Sequence, residues 1–570
     1  MTLQTQGIAR TAARPARSAA EVLVEQLRLQ RVTRVFCVPG ESYLPVLDAL
    51  LGSGIAVTVC RNEGGAAMMA EAWGKQTGRP GICFVTRGPG ATNGSGGVHI
   101  AQQDSSPLIL FVGQVERDNR GRDAFQEVDY RAFFGGMAKW VAEVNEPDRM
   151  GEMVARAFGV AMAGRQGPVV LALPHDVLPA ASRSPDVPFL EATEIEPGRE
   201  AMAALEDLLA GSERPVLILG GGRWNETACA QVAGFAERFG IAVCTSFRRA
   251  HLFDSHHPNY AGDLGLGANP KLVARVKASD LVIAAGARLN ELTSQGYSLF
   301  DIPVPQMTLV HAYPGAEELG RVYRPHLAIH AAPGAFAAAL DRLEPRRAPP
   351  DVRPAHRDYL DWSEQALPQP GAVNLSEIMI WLRQHLPADA ILCNGAGNYS
   401  SWIHRFFRFR RLGTQMATVC GFMGYGVPAA VAMKGLYPER KVLALAGDGD
   451  FLMTGQEFAT AMQYRLPIVV LVFDNAMLGT IRMHQEREYP ARISATDLVN
   501  PDFAAFARSF GGFGATVERT ADFAPAFLAA EESGLPAILH IKFDGEGITP
   551  STTLTNIREA AIRDSARKHA

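Results

Sequence analysis

What most constrains this chain is a change of hydrophobic period that recurs along most of its 570 residues. Short unbroken runs of β-branched and other apolar residues each give way to a longer stretch with helical spacing. A strand buried on both faces reads as an unbroken apolar run, and parallel strands are joined by helical crossovers. RVFCV (34–38), IAVTVC (55–60), GICFVT (81–86), PLILFVG (107–113) and PVVLALP (168–174) form a first set. PVLILGGG (215–222), IAVCTS (241–246), LVIAAGA (281–287) and MTLVHA (307–312) form a second. AILCN (390–394), VLALAGDGD (442–450), IVVLVFDN (468–475) and AILHIK (537–542) form a third. Two stretches rich in Pro and charge, 181–198 and 344–356, read as linkers. The expected fold is α/β: three doubly wound parallel-sheet domains at 20–180, 199–343 and 366–548, with a flexible tail at 1–19 and a second tail at 549–570.

Composition narrows the function. Hydrophobic residues make up 47% and charged residues 20%, which excludes a disordered chain. Lys and Arg number 55 against 59 Asp and Glu, a net charge of −4, so no basic excess points to nucleic acid or an anionic membrane. No apolar run reaches the ~18 residues of a membrane helix. The seven cysteines include no C-x-x-C pair and fall mostly in apolar runs, the pattern of buried free thiols in a reducing compartment. The first twenty residues carry Arg10, Arg14 and Arg17 and no acid but lack a clear amphipathic face, so a cytoplasmic tail is expected and not a transit peptide.

The strongest chemical signal lies in residues 441–486. One strand ends at Gly447-Asp448-Gly449, a helical stretch follows, and the next strand ends at Asp474-Asn475. Thr454 with Glu457 predicts a capping box opening that helix. A strand–helix–strand unit of this length is a right-handed parallel crossover. Asp448 and Asn475 then both sit at carboxyl ends of parallel strands, where open α/β sheets bind ligands. Asp448 offers an anionic oxygen and Asn475 an amide oxygen, while Gly447 and Gly449 let backbone N–H groups approach an anion. This set suits Mg2+ bridged to a diphosphate better than an all-protein Ca2+ cage. Acid-glycine turns follow many strands, so the Asn at the second strand end carries much of the signal. The sequence contains no GxxxxGK[ST], which argues against a P-loop NTPase.

GDGD (447–450) and FDNAML (473–478), with Asn475 placed 27 residues after Asp448, resemble the thiamine-diphosphate motif. The resemblance extends over nearly the whole chain, in the acetolactate synthase branch of that family. It implies Mg2+ held by Asp448, Asn475 and the backbone carbonyl of Met477, together with diphosphate oxygens. Asp450 stands where many relatives have Ser. GNYSSW (397–402) replaces the family's GQHQMW, so Asn398 and Tyr399 are expected to supply diphosphate contacts. CGFMGYGVPAA (420–430) resembles the turn that holds the cofactor's two rings. By that match the Gly421 carbonyl accepts from the 4′-amino group, and Met423 is the apolar wedge that bends the rings against each other. RNEGGAA (61–67) resembles the segment with the family's catalytic glutamate, so Glu63 would share a proton with the pyrimidine N1′. Taken alone, an acid at a helix start is commonplace and worth under ~1 kcal/mol. The implied chemistry is attack of the cofactor's ylid on a carbonyl, decarboxylation or C–C cleavage, and transfer to an acceptor. The family binds the two ends of the cofactor with different subunits, which implies a homodimer or a dimer of dimers.

VTRGPGATNGSGG (85–97) and FVGQVERDNRGRDAFQE (111–127) resemble segments lining the active site of acetolactate synthases, and they nominate Gln114, Phe125 and Gln126 as substrate neighbours. Glu41, in PGESYL, falls where the family's keto-acid decarboxylases carry an acid, but their paired histidines have no counterpart near 116–123. His484 replaces the tryptophan that follows the motif and is a further candidate. GARLNELTSQG (286–296) replaces the flavin-contacting FDDR stretch, and HAYPGAEELG (311–320) lacks the aspartate relatives use there. FAD is therefore expected to be absent or loosely bound. The expected activity is a thiamine-diphosphate- and Mg2+-dependent lyase or carboligase on a 2-keto acid or 2-hydroxy ketone. A benzaldehyde-lyase-like or 2-hydroxyacyl-CoA-lyase-like enzyme and a flavin-dependent pyruvate oxidase are the alternatives.

Overall fold

A computed structural model describes residues 17–189 and 191–569. Three six-stranded sheets follow one another along the chain, and every strand pairing within them is parallel. Counting strands in sequence order within each sheet, the first and third run 2-1-3-4-6-5 and the middle one 3-2-1-4-5-6. Both orders reverse direction beside strand 1, which opens a crevice at the carboxyl ends of the strands there. In the first sheet the crevice lies between Arg34–Cys37 and Gly81–Val85. In the third it lies between Ile391–Asn394 and Val442–Gly447.

The helices α1 (Glu63–Thr77), α2 (Pro89–Asp104) and α3 (Gly426–Leu436) bring these two crevice-bearing domains together. One continuous apolar core runs from the first sheet to the third across α1 and α3. Both helices are rich in Ala and Gly, so neighbouring backbones approach closely. A Cβ at Gly97 of α2 would lie 2.4 Å from the Ala67 methyl of α1. The ends of α1 and α2 then meet the middle domain at a buried ion cluster. Lys75 Nζ lies 2.6 Å from Asp104 Oδ2 and 3.1 Å from Glu71 Oε1, and Arg249 Nη2 lies 3.4 Å from Asp104 Oδ2. Val419 donates its N–H to Asp104 Oδ1 at 2.8 Å, and the Tyr425 hydroxyl donates to Glu71 at 2.6 Å. Burial pushes the Asp104 carboxyl up, but the Lys75 ammonium and the Arg249 guanidinium outweigh it and hold the group below its ordinary value.

Three expectations need correction. The capping box does not form: Thr454 Oγ1 turns to the Gly424 carbonyl, and Glu457 reaches across to the start of α1. There Glu457 Oε1 accepts the Arg61 and Asn62 N–H groups at 3.0 and 2.9 Å. A buried carboxylate is stabilised more by two backbone donors than by its own frayed turn. The stretch 549–570 is not a tail over most of its length. Helix α5 (Leu554–His569) docks on α4 (Gly479–Glu488), where Arg558 grips the buried Glu486 by two hydrogen bonds of 2.8 and 2.5 Å. The tail at 1–19 lies outside the described residues up to 16, and its last residues are structured. Arg17–Ser18 pair with Ala181–Ser182, and Ser18 caps the helix Ala19–Leu29 through a box with Glu21. The second linker also ends in a helix, Arg353–Ser363, whose Tyr359 packs edge-on against Tyr260 of the middle domain. Among the described residues no helix is long and apolar enough to cross a membrane, and all seven cysteines are free.

Candidate active site

In the third sheet Val442–Gly447 and Val469–Asp474 are hydrogen-bonded neighbours, with Gly447 level with Phe473. This register puts Asp448 and Asn475 side by side at the carboxyl edge. Asp448 opens a single helical turn, Asp448–Phe451, and is 3% exposed. Asn500 Nδ2 bridges Asp448 Oδ2 and Asp474 Oδ1 at 2.8 Å each, and Asp474 Oδ2 lies 2.7 Å from His540 Nε2. Burial lifts the Asp448 carboxyl to about 6, and no Lys or Arg pairs with it among the described residues. Asp474 goes the other way: burial raises it, but His540, the Ala476 N–H and Asn500 together hold it low. The chain turns sharply after Asn475, with Ala476 at φ 55°. Such a left-handed alanine is strained and is kept only where its surroundings fix it.

A cavity of about 370 Å³ opens over these strand ends. Asp448, Asn475, Met477, Asn398, Gly421 and Met423 all line it, so the structure brings together most of the residues nominated from the third segment. The Met423 methyl lies 3.8 Å from where a Cβ on Gly449 would sit, which places this thioether over the Gly447-Asp448-Gly449 turn. Gly421 has φ 66° and its Cβ position meets nothing within 4 Å, so the backbone there is open to a ligand. Asn398 Oδ1 accepts from the Thr480 hydroxyl at 3.0 Å. The Met477 carbonyl accepts the Gly479 N–H at 2.9 Å and keeps a second lone pair.

Tyr399 and Asp450 also line the cavity, with their polar atoms bonded to one another. The Tyr399 hydroxyl is 2.6 Å from Asp450 Oδ2, and Asp450 Oδ1 accepts the Gly424 N–H at 2.5 Å and the Ala396 N–H at 3.4 Å. Burial lifts the Asp450 carboxyl to about 6. The acid in place of the usual Ser thus ties the turn after Ile391–Asn394 to the turn before α3. A Cβ on Gly395 would lie 2.3 Å from Asp450 Oδ1, so this close approach requires glycine.

The first domain's candidates lie elsewhere. Glu63 is the first residue of α1, behind its cap Asn62, and its Oε2 accepts from Asn93 Nδ2 at 3.0 Å. It does not line the cavity of its own chain. Glu41 is exposed and paired with Arg87, and Phe125 is exposed beside them. Gln126 has φ 65° and packs its backbone under Gly88. Gln114 is not brought to any open surface: it is fully buried, its amide donating to the Val128 carbonyl and accepting from the Val115 N–H. His484 is exposed on α4 and is not among the residues lining the cavity. Sequence reasoning missed Asn500 and His540, which stand in no motif, and Arg87, which lies in the 85–97 segment but was not singled out within it.

A divalent cation is a good match for this donor set. Among the described residues no group of three or more His, Cys, Asp or Glu could hold a metal by itself. A buried carboxylate without a cation, an amide oxygen and a free carbonyl lone pair leave positions for ligand oxygens, as Mg2+ sites with phosphates do. Three family models match the chain in order: the thiamine pyrophosphate enzyme N-terminal TPP binding domain over residues 17–133, the central domain over 202–340, and the C-terminal TPP binding domain over 395–541. The chain is 31% identical to the acetolactate synthase large subunit of Parasynechococcus marenigrum over 550 residues, 92% of this chain and 87% of that one. It is 30% identical to the acetolactate synthase isozyme 2 large subunit of Escherichia coli, over 92% and 96% of the two chains.

This chain belongs to the thiamine pyrophosphate enzymes.

The stretches 286–296 and 311–320 of its middle domain hold a buried ion cluster. Glu318, 7% exposed, lies 3.3 Å from Arg288, 3.5 Å from Arg321 and 3.9 Å from Arg165. Arg288 also donates to the Gln103 carbonyl at 3.1 Å and Arg165 to the Ser105 hydroxyl at 2.9 Å. Glu318 thus sits among three guanidinium groups, of which Arg288 belongs to one of the replaced stretches.

Proposed function

We propose that this thiamine pyrophosphate enzyme is a Mg2+-dependent carboligase that takes a 2-keto acid as donor, releases CO2 and joins the remaining acyl group to an acceptor carbonyl. The observation that carries the reading is the pair of strand ends at Asp448 and Asn475 opening on one cavity with Met423. Asp448, Asn475 and the Met477 carbonyl would hold Mg2+, and the N–H groups of Gly447 and Gly449 with the Asn398 amide would face the diphosphate. Thiamine diphosphate, once bound, supplies the carbon nucleophile and the electron sink that an amino-acid side chain cannot. Met423 would form part of the wall that its rings meet. Asp450 and Tyr399 fix the two turns and so hold the donors in place.

Glu63 is not among the residues lining its own chain's cavity, so we place the partner subunit's Glu63 against it. There the carboxyl would hold a proton beside the pyrimidine. The working unit is then a homodimer or a dimer of dimers, which we place in the cytoplasm. Glu63→Gln is expected to lower CO2 release by on the order of 10²–10⁴-fold, the range of a general acid–base group, while cofactor affinity stays close to wild type. Steady-state rates and a cofactor titration on the same preparation check both halves. GARLNELTSQG (286–296) replaces the flavin-contacting FDDR stretch, so the purified protein is expected to be colourless, with activity unchanged by added FAD. A flavin absorbance band that dialysis does not remove would contradict this.

The reading is tested by supplying pyruvate, thiamine diphosphate and Mg2+ and identifying the products. CO2 with a carboligation product is expected. Carbon–carbon cleavage of a 2-hydroxy ketone without any CO2 from keto acids would replace it with a lyase.

A further inference from the structure

The first sheet has the same strand order as the third, so it carries a second switch-point crevice. In the third sheet the loops after strands 1 and 3 frame the cofactor cavity. The corresponding loops of the first sheet carry Glu41, after Arg34–Cys37, and Arg87, after Gly81–Val85. The two side chains close the crevice between them: Arg87 Nη2 lies 2.5 Å from Glu41 Oε1, and Arg87 Nε donates to the Phe125 carbonyl at 3.3 Å. The Phe125 ring is 74% exposed and its centroid is 5.9 Å from the guanidinium carbon. Glu63 is near: a Cβ on Gly90 would meet Glu63 Oε1 at 3.3 Å and Thr86 Cγ2, one residue before Arg87, at 2.8 Å.

The two partners of this ion pair are unequal. The Arg87 side chain is 13% exposed and that of Glu41 is 67% exposed. An ion pair with so exposed a member contributes little to stability. A ligand carboxylate that displaces Glu41 therefore loses little and gains a charge-assisted, bidentate contact to a guanidinium already held in place. We propose that Arg87 binds the carboxylate of the acceptor, a short-chain 2-keto acid, with Glu41 as its displaceable counter-ion and Phe125 against the alkyl chain. The acceptor is favoured over the donor on chemical grounds. A cation stabilises a carboxylate in the ground state and so opposes its loss as CO2, whereas the acceptor keeps its carboxylate. The donor's acyl carbon, after CO2 has left, bonds to the acceptor's keto carbon, the keto oxygen takes up one proton, and the carboxylate departs with the product. No oxidant or reductant is needed. The inference rests on the carboligase reading for its reaction but not for its binding site.

The test uses the full-length protein loaded with thiamine diphosphate and Mg2+. Calorimetry reads the binding of oxamate, an unreactive isostere of a 2-keto acid, and a turnover assay with pyruvate and acetaldehyde reads CO2 and the ratio of acidic to neutral product. Arg87→Gln is expected to weaken oxamate by at least about tenfold and to shift the product towards the neutral hydroxy ketone. Arg87→Lys is expected to retain part of the affinity, and Glu41→Gln to tighten oxamate, because it removes the competing carboxylate. A merely structural pair would make the two single variants fail together, so the opposite signs are diagnostic. If Arg87→Gln does not fold, Arg87→Lys and Glu41→Gln still read the sign. The inference is overturned by oxamate affinity within about twofold of wild type in Arg87→Gln, by weaker oxamate binding in Glu41→Gln, by an unchanged product ratio, or by a wild type that does not bind oxamate. Absence of CO2 with oxamate binding as expected sinks the carboligase reading alone.

Discussion

Replacing Asp448 by alanine is expected to abolish keto-acid turnover while leaving the protein folded. The carboxylate sits at the carboxyl end of Val442–Gly447, is 3% exposed and accepts a hydrogen bond from the Asn500 side chain. A buried carboxylate without a cation costs stability in the absence of metal, so the apoprotein loses nothing by the substitution and its thermal midpoint should stay level or rise. With cofactor the balance reverses. Losing the anionic ligand of a Mg2+ that neutralises a diphosphate removes several kcal/mol of binding and positioning, on the order of 10³-fold in kcat/KM. Asn500→Ala, which only orients Asp448, should cost on the order of 10–100-fold, the range for groups that orient a metal ligand. Equal losses in the two variants would mean that the carboxylate is not the primary ligand.

Asp104→Ala is expected to give the largest loss of stability in the molecule. Among the described residues Asp104 is the one carboxylate that Lys75 and Arg249 share, it accepts the Val419 N–H as well, and its side chain is fully buried. Its removal leaves two cations buried at the meeting of three domains, with Glu71 near Lys75 alone. Breaking a buried pair in this way costs about 3–5 kcal/mol. The urea midpoint should fall accordingly, and the loss should shrink when Lys75 is also replaced by methionine, because the two changes remove one interaction. A single variant within ~1 kcal/mol of wild type would show that water reaches this cluster.

Much of this was legible from the residues alone. Three parallel-sheet domains follow from unbroken apolar runs, since a strand buried on both faces admits nothing else. Asp448 and Asn475 were legible because a crossover fixes where strand ends lie, and that rule needs no tertiary detail. Glu457 was misread because its spacing from Thr454 is a local signal, whereas the Arg61 and Asn62 N–H groups it serves are nearly 400 residues away in sequence. Helix α5 was missed for a related reason. Its charged sequence has little apolar face of its own, and it is held by Arg558 on the buried Glu486. Arg87 and Asn500 each act through two partners distant in sequence, Glu41 and Phe125 for the first and Asp448 and Asp474 for the second, and no local spacing announces such pairings. Gln114 differs in another way: its segment matched an active-site stretch, but its side chain is fully buried and bonded to backbone at both amide atoms.

The most direct test of the central claim is calorimetric titration of thiamine diphosphate into the purified protein, with Mg2+ and again with EDTA. The account requires one cofactor per chain, binding that is lost with EDTA, and the same loss in Asp448→Ala with Mg2+ present. Cofactor binding that survives both EDTA and the loss of Asp448, or no binding at all with Mg2+ present, would contradict it.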